Sequence, residues 1–247
     1  MITFDILTLF PNFFSSPLNE SILGKAQEKG LLRVRINNIR DFTKDKHQVT
    51  DDYPFGGGVG MVLKPEPVVE ALEATKDHQT KSHTILLTPQ GSTFNQKVAE
   101  HLTNFQQVII ICGRYEGVDE RIRYFVDQEI SLGDFILSGG EAAALVVVEA
   151  VSRFIPGVLG KEESRLGDSF SGGLLEYPQY TRPRDFRGYL VPDVLISGHH
   201  KEIMRWRLRE SLKRTLLRRP DLLASKELSS KESELLEDIK QVTGRLP

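Results

Sequence analysis

The sequence predicts an α/β protein: a mostly parallel sheet with helices on both faces. Three observations carry that expectation. Short runs rich in β-branched residues alternate with helical patterns along the first 160 residues. Residues 108–112, Val-Ile-Ile-Ile-Cys, are apolar without a break, as in a strand buried on both faces. Two glycine-bearing stretches follow that run, Gly113-Arg114-Tyr115-Glu116-Gly117 and a second from Ser131 to Glu141, and glycine lets main-chain groups approach a ligand closely.

In chain order, strands are expected at 2–9, 32–39, 84–87 and 107–112, and helices at 19–29, 65–75, 92–104 and 119–126. Within 92–104, Phe94, Val98 and Leu102 recur every four residues, and Ser92 suits an N-cap. Residues 141–154 contain Leu145-Val146-Val147-Val148, but length and alanine content favour a helix buried nearly all round and ended by Pro156-Gly157. So apolar a helix points to packing against a second subunit. From 160 to 173 the chain turns polar and glycine-punctuated, without periodicity, and reads as a mobile connector. Beyond it, Met204, Leu208, Leu212 and Leu216 mark a basic amphipathic helix starting near His199, and 225–242 is a last, acidic helical pattern. The expected organisation is a domain over 1–160, a mobile linker over 161–173 and a helical domain over 174–247.

Composition narrows the class. At 39% hydrophobic and 27% charged residues, global disorder is excluded. A single cysteine excludes an internal disulfide framework and fits a reducing compartment. No apolar run approaches the roughly 20 residues that span a bilayer, and the N-terminus lacks a basic signal-peptide region, so a soluble, cytoplasmic protein is expected. The net charge of −2 does not advertise nucleic-acid binding, yet from His199 to Arg219 eight basic residues face two acids.

Several constellations could carry chemistry. Gly56-Gly57-Gly58-Val59-Gly60 can form an anion nest, but it lacks the Lys-Ser/Thr of a P-loop, and a flexible turn is the simpler reading. Asp51-Asp52 reads as a solvated acidic turn or a weak cation site. Asp119 and Glu120 suit the start of a helix. Glu116 is not explained that way: it sits between two glycines at the end of a buried strand, where open α/β sheets bind ligands. Arg153 suits capping of its helix, and Asp168, fifteen residues on, suits solvation. Together they could instead act on a base, one stabilising charge on oxygen and the other removing a proton. Trp206, between Arg205 and Arg207, is either a core residue or a stacking platform for an exposed base. His199 and His200 lack a third ligand at metal spacing.

The motifs Asp52-Tyr53-Pro54-Phe55-Gly56-Gly57-Gly58-Val59-Gly60-Met61, Thr88-Pro89-Gln90-Gly91, 112–121, 133–141, Ser152-Arg153-Phe154-Ile155-Pro156-Gly157-Val158-Leu159-Gly160, Asp168-Ser169-Phe170 and Tyr177-Pro178-Gln179-Tyr180-Thr181-Arg182-Pro183 occur in this order. Together they closely resemble the bacterial tRNA (guanine-37-N1)-methyltransferase family. The resemblance implies a SPOUT-type α/β fold with a deep trefoil knot that binds S-adenosylmethionine, followed by a small helical C-terminal domain. Carried over by motif, the donor pocket involves Leu86, Leu87, Thr88, Pro89, Gln90, Gly113, Tyr115, Glu116, Leu132, Gly133, Leu137, Ser138, Gly139 and Gly140. It further implies a homodimer with shared sites and tRNA bound through the basic helix by His200, Arg205, Trp206, Arg207, Lys213 and Arg214.

For the reaction, the resemblance puts Asp168 as the base that removes the guanine N1 proton, Arg153 as the cation beside O6, and Glu116 holding base or donor. A Mg²⁺ dependence comes with the family, with Asp51 or Asp52 as speculative ligands. Val59, Ala143 and His199 depart from the family pattern, and none touches these three residues. Competing expectations are a SPOUT enzyme with another RNA target and a non-catalytic RNA-binding regulator.

Overall fold

The computed structural model describes residues 1–160 and 167–243, and the chain divides into two units, Met1–Glu162 and Glu163–Pro247. The mobility expected of the linker falls partly on 161–166, outside the described residues. The first unit runs β1 (Ile2–Thr8), α1 (Ser21–Glu28), β2 (Leu32–Asn38), β3 (Asp51–Asp52), β4 (Val62–Leu63), α2 (Pro65–Thr75), β5 (Ser82–Thr93), α3 (Gln96–Leu102), β6 (Gln107–Cys112), β7 (Gln128–Ser131) and α4 (Glu141–Ser152).

Strand β6 lies at the centre of a five-stranded sheet ordered β2-β1-β6-β5-β7, with every pairing parallel. Its six residues are all buried. Val108, Ile110 and Cys112 join one core with Leu23 and Ala26 of α1, Leu102 of α3 and Val147 of α4. Ile109 and Ile111 face the opposite core with Val68, Ala71 and Leu72 of α2. Side chains alternate across a strand, so helices on both faces require an uninterrupted apolar run. Burial also pushes the Cys112 thiol well up, as expected of a core residue rather than a nucleophile. One charge is buried in the sheet: the Asp5 carboxylate takes two bonds from Arg35, at 2.6 and 2.7 Å, and one from the Gln107 amide at 2.7 Å.

Several expected elements differ. The strand at 84–87 runs on to Thr93, through Pro89 and Gly91, with a register shift against β7 between Leu87 and Ser92. A Cβ on Gly91 would lie 2.4 Å from the Ile130 nitrogen, so the detour needs glycine there. Helix α3 therefore starts later than expected. Its cap is Asn95, not Ser92, and the Asn95 side chain accepts from Lys97 N at 3.0 Å and Val98 N at 3.2 Å. Asn95→Ala should cost about 1 kcal/mol and lower the melting temperature by about 2–4 °C in a chain of this size; an unchanged melting curve would remove the cap from the account. Residues 119–126 form a 3₁₀ turn, Glu120–Phe125, capped by Asp119. Strand β7 was not expected. Helix α4 is not buried all round: Val146 and Glu149 are exposed.

The second unit holds a hairpin, β8 (Asp185–Phe186) and β9 (Tyr189–Leu190), and helices α5 (His200–Arg218), α6 (Pro220–Ala224) and α7 (Ser230–Thr243). Leu212 of α5 packs with Leu235 and Ile239 of α7, and Leu208 and Leu216 border them. Met204, expected on that stripe, is exposed. The helix expected at 225–242 is α7, which starts five residues later, at Ser230, and the short α6 precedes it. A capping box separates them: Ser229 N donates to Glu232 Oε2 at 2.8 Å, and Glu232 N donates to Ser229 Oγ at 3.3 Å. Among the described residues no helix is long and apolar enough to cross a membrane.

Candidate active site

A pocket of about 380 Å³ opens beside the middle of β5 and the C-terminal ends of β6 and β7. Its walls are Leu86–Pro89 from β5, the loop 113–118 after β6, and the stretch 130–140 from β7 to α4. That volume lies in the range of small-molecule sites, roughly 300–1,000 Å³. Of the expected donor-binding residues all but Gln90 line it; Gln90 lies on the exposed β5 detour. The pocket also takes in Arg114, Val118, Phe135, Ile136 and Ala143, which were not among the expected donor-binding residues.

The two glycine stretches meet main chain to main chain. Gly140 N donates to Gly113 O at 2.9 Å, and Arg114 forms a β-bridge with Gly139. A Cβ on Gly140 would lie 2.7 Å from Cys112 Cα, so the close approach excludes any side chain. Tyr115 turns the loop at φ 58°, half exposed over the pocket. Behind the glycines lies a polar network absent from the sequence reading. Glu141 is buried at the first position of α4; its Oε1 accepts from Thr8 Oγ1 at 2.9 Å, and Oε2 lies 3.4 Å from Arg114 Nε, an ion-pair contact. Arg114 also donates to Ser138 O at 2.9 Å and lies over the Phe10 ring at 4.3 Å. A carboxylate suits a helix N-terminus, and the ion pair offsets its burial. The available sequence signal was a lone acid opening an apolar helix.

Glu116 is exposed at the pocket rim. Its backbone N donates to Met61 O at 3.1 Å, and its side chain lies 2.6 Å from where a Cβ on Gly60 would stand. The loop of residues 56–60, read as a flexible turn, thus abuts the pocket. Asp51 and Asp52 are successive residues of β3 and point to opposite faces. Among the described residues no group of three or more His, Cys, Asp or Glu could hold a metal. Asp51 and Asp52, the speculative Mg²⁺ ligands, thus belong to no such group.

Arg153 is the C-cap of α4, its N–H reaching Glu149 O at 3.4 Å. Asp168 belongs to the second unit, where it lines a pocket of about 420 Å³ with Tyr177, Arg207, Leu208 and Ser211. Residues 167–177 are tied down there: Glu176 N donates to Ser169 Oγ at 3.0 Å, and Leu175 N to Thr215 Oγ1 at 2.9 Å. The expected RNA contacts all lie on α5. His200 and Arg205 are exposed, while Trp206, Arg207, Lys213 and Arg214 are half-buried. Trp206 sits 6.3 Å from the Tyr180 ring, and Arg207 lies 4.8 Å over Tyr177.

Residues 2–225 match the family model described as tRNA (Guanine-1)-methyltransferase TrmD. A protein of Geotalea uraniireducens named tRNA (guanine-N(1)-)-methyltransferase is 60% identical over 98% of both chains. Relatives of the same name are 54% identical in Dictyoglomus turgidum, over 98% of both chains, and 56% identical in Dehalococcoides mccartyi, over 95% of this chain and 96% of that one. The pocket between two glycine-walled loops thus sits in a chain that belongs to the tRNA (guanine-1)-methyltransferase TrmD family.

Proposed function

We propose that this chain transfers a methyl group from S-adenosylmethionine to N1 of guanine 37 in tRNA. The observation that carries the reading is the pocket beside β5 and the ends of β6 and β7, in a chain of this family. Leu86, Leu87, Leu132 and Leu137 offer apolar walls, and the chain around 113 and 138–140 offers main-chain donors and acceptors, which suit an adenosyl group. Once bound, the donor's sulfonium presents an electrophilic methyl carbon. Asp168 accepts the N1 proton, and the Arg153 guanidinium stabilises the charge that spreads to O6. Glu116, at the rim beside Gly60, steadies the base. Positioning these groups supplies the rest of the rate.

The family's trefoil knot is part of this reading. Its support is that β5 pairs with both β6 and β7, whose following loops are pinned to each other at Arg114–Gly139 and Gly113–Gly140. The reading also includes a cytoplasmic homodimer, for which the support is the open face of α4 around Val146. No step is assigned to Mg²⁺. Labelled S-adenosylmethionine with unmodified tRNA tests the activity: label should appear as 1-methylguanine at position 37 and vanish when adenine stands there. An absence of transfer to guanine-bearing tRNA sinks it.

A further inference from the structure

The β8–β9 hairpin takes no part in the core of its unit and presents two aromatic rings to solvent. Phe186 and Tyr189 are direct cross-strand partners, and they remain 59% and 82% exposed. Partners opposite each other in an antiparallel pair project on one face with Cβ atoms about 5 Å apart. The rings therefore form one platform rather than two isolated surface residues. Exposed aromatics clustered on a rigid element are uncommon unless something binds them.

The turn between them is a second, independent observation. Arg187 and Gly188 both have positive φ, 57° and 85°, as in the two-residue turn that joins tightly twisted hairpins. Asn, Asp or Gly is the ordinary occupant of the first position, and arginine there is strained. The turn is held all the same, by Gly188 N donating to Asp185 Oδ1 at 2.8 Å. The result is a cation at the very tip, its guanidinium 5.3 Å from the Phe186 ring. The hairpin's base is fixed as well: Val191 N donates to Arg184 O at 2.9 Å, and the Arg184 guanidinium reaches Asp193 at 2.9 Å.

Charge identifies the partner. Between Arg182 and Arg219 there are eleven Lys or Arg against four Asp or Glu, in a chain whose net charge is −2. An apolar protein partner has no need of that excess, whereas a polyanion with exposed bases matches both features. We infer that the hairpin is an RNA contact: Phe186 and Tyr189 stack on an unpaired tRNA base while Arg187 meets the adjoining phosphate. This rests on the tRNA reading above and extends it to residues outside α5.

The test is tRNA binding by the full chain across a salt series, for Phe186→Ala, Tyr189→Ala, Tyr189→Trp and Arg187→Ala. Aromatic stacking is worth about 1–3 kcal/mol per base, so each alanine variant should weaken binding about five- to 160-fold without changing the salt slope. Tyr189→Trp should keep near-parental affinity. Arg187→Ala should weaken binding and reduce the salt slope by about one. Parental affinity in both aromatic alanine variants, with the parent binding normally, overturns the hairpin contact alone. A change in their sedimentation instead assigns the platform to a second copy of the chain, which also overturns it. Failure of the parent to bind tRNA defeats the activity reading itself.

Discussion

Asp168→Asn is expected to lower turnover for methyl transfer by about 10²–10⁴-fold, the usual contribution of a positioned general base. The amide keeps the shape of the carboxylate and its capacity to accept a hydrogen bond, but it cannot take the N1 proton. Donor affinity should stay near the parent's, because the donor pocket is built from 86–143 and Asp168 lines none of it. The measurement is single-turnover methyl transfer beside equilibrium donor binding without RNA, which separates chemistry from binding. Because residues 167–177 are hydrogen-bonded into the second unit, a thermal melt of the variant guards against a folding artefact. A variant that loses donor affinity yet turns over at the parental rate would remove Asp168 from the chemistry. A variant that loses turnover and melts several degrees lower would make it a structural residue, and Asp168→Glu then separates the two roles by restoring a base without restoring the fit.

What the sequence disclosed follows physical locality. β6 was legible because burial on both faces leaves no polar position in the run, and α2 because two prolines and a regular apolar spacing define its start and face. β7 was not legible. Gln128 and Glu129 make half of it polar, and it becomes a strand only by pairing with β5 on both sides of a bulge. The detour through Pro89 and Gly91 carries the signals of a turn, so the expected strand stops at 87, and only the approach of Ile130 to Gly91 shows that the pairing resumes. The site divides the same way. Glycine after a buried strand announced the pocket, because both features are local. The network behind it joins Thr8 to Glu141 across 133 residues, and no spacing rule connects them. The chemical types of Asp168 and Arg153 allowed a pair acting on a base beside the plainer readings of solvation and capping, and only the resemblance to a family assigned them guanine N1 and O6.

Gly140→Ala should cripple donor binding, for a reason that space alone supplies. Gly140 sits at φ −76° and ψ −8°, a backbone conformation that alanine adopts freely. The obstacle is the neighbouring wall: the added Cβ would stand 2.7 Å from Cys112 Cα and 3.1 Å from Gly113 N. These are backbone atoms of the central strand and its following loop, so no side chain can swing away. Either the loop of 138–140 moves out or the end of β6 moves back, and both form the pocket. Overpacking of this kind costs about 1–3 kcal/mol, and it falls on the bond from Gly140 N to Gly113 O that joins the two walls. Donor affinity should therefore fall about tenfold or more, measured by calorimetry, beside a lowered melting temperature from the same overpacking. Gly160→Ala is the control, since nothing lies within 4 Å of the Cβ it would add. If Gly140→Ala binds the donor as tightly as that control, the close contact between the two loops does not shape the donor site, and the pocket's main-chain walls are not what holds the methyl donor.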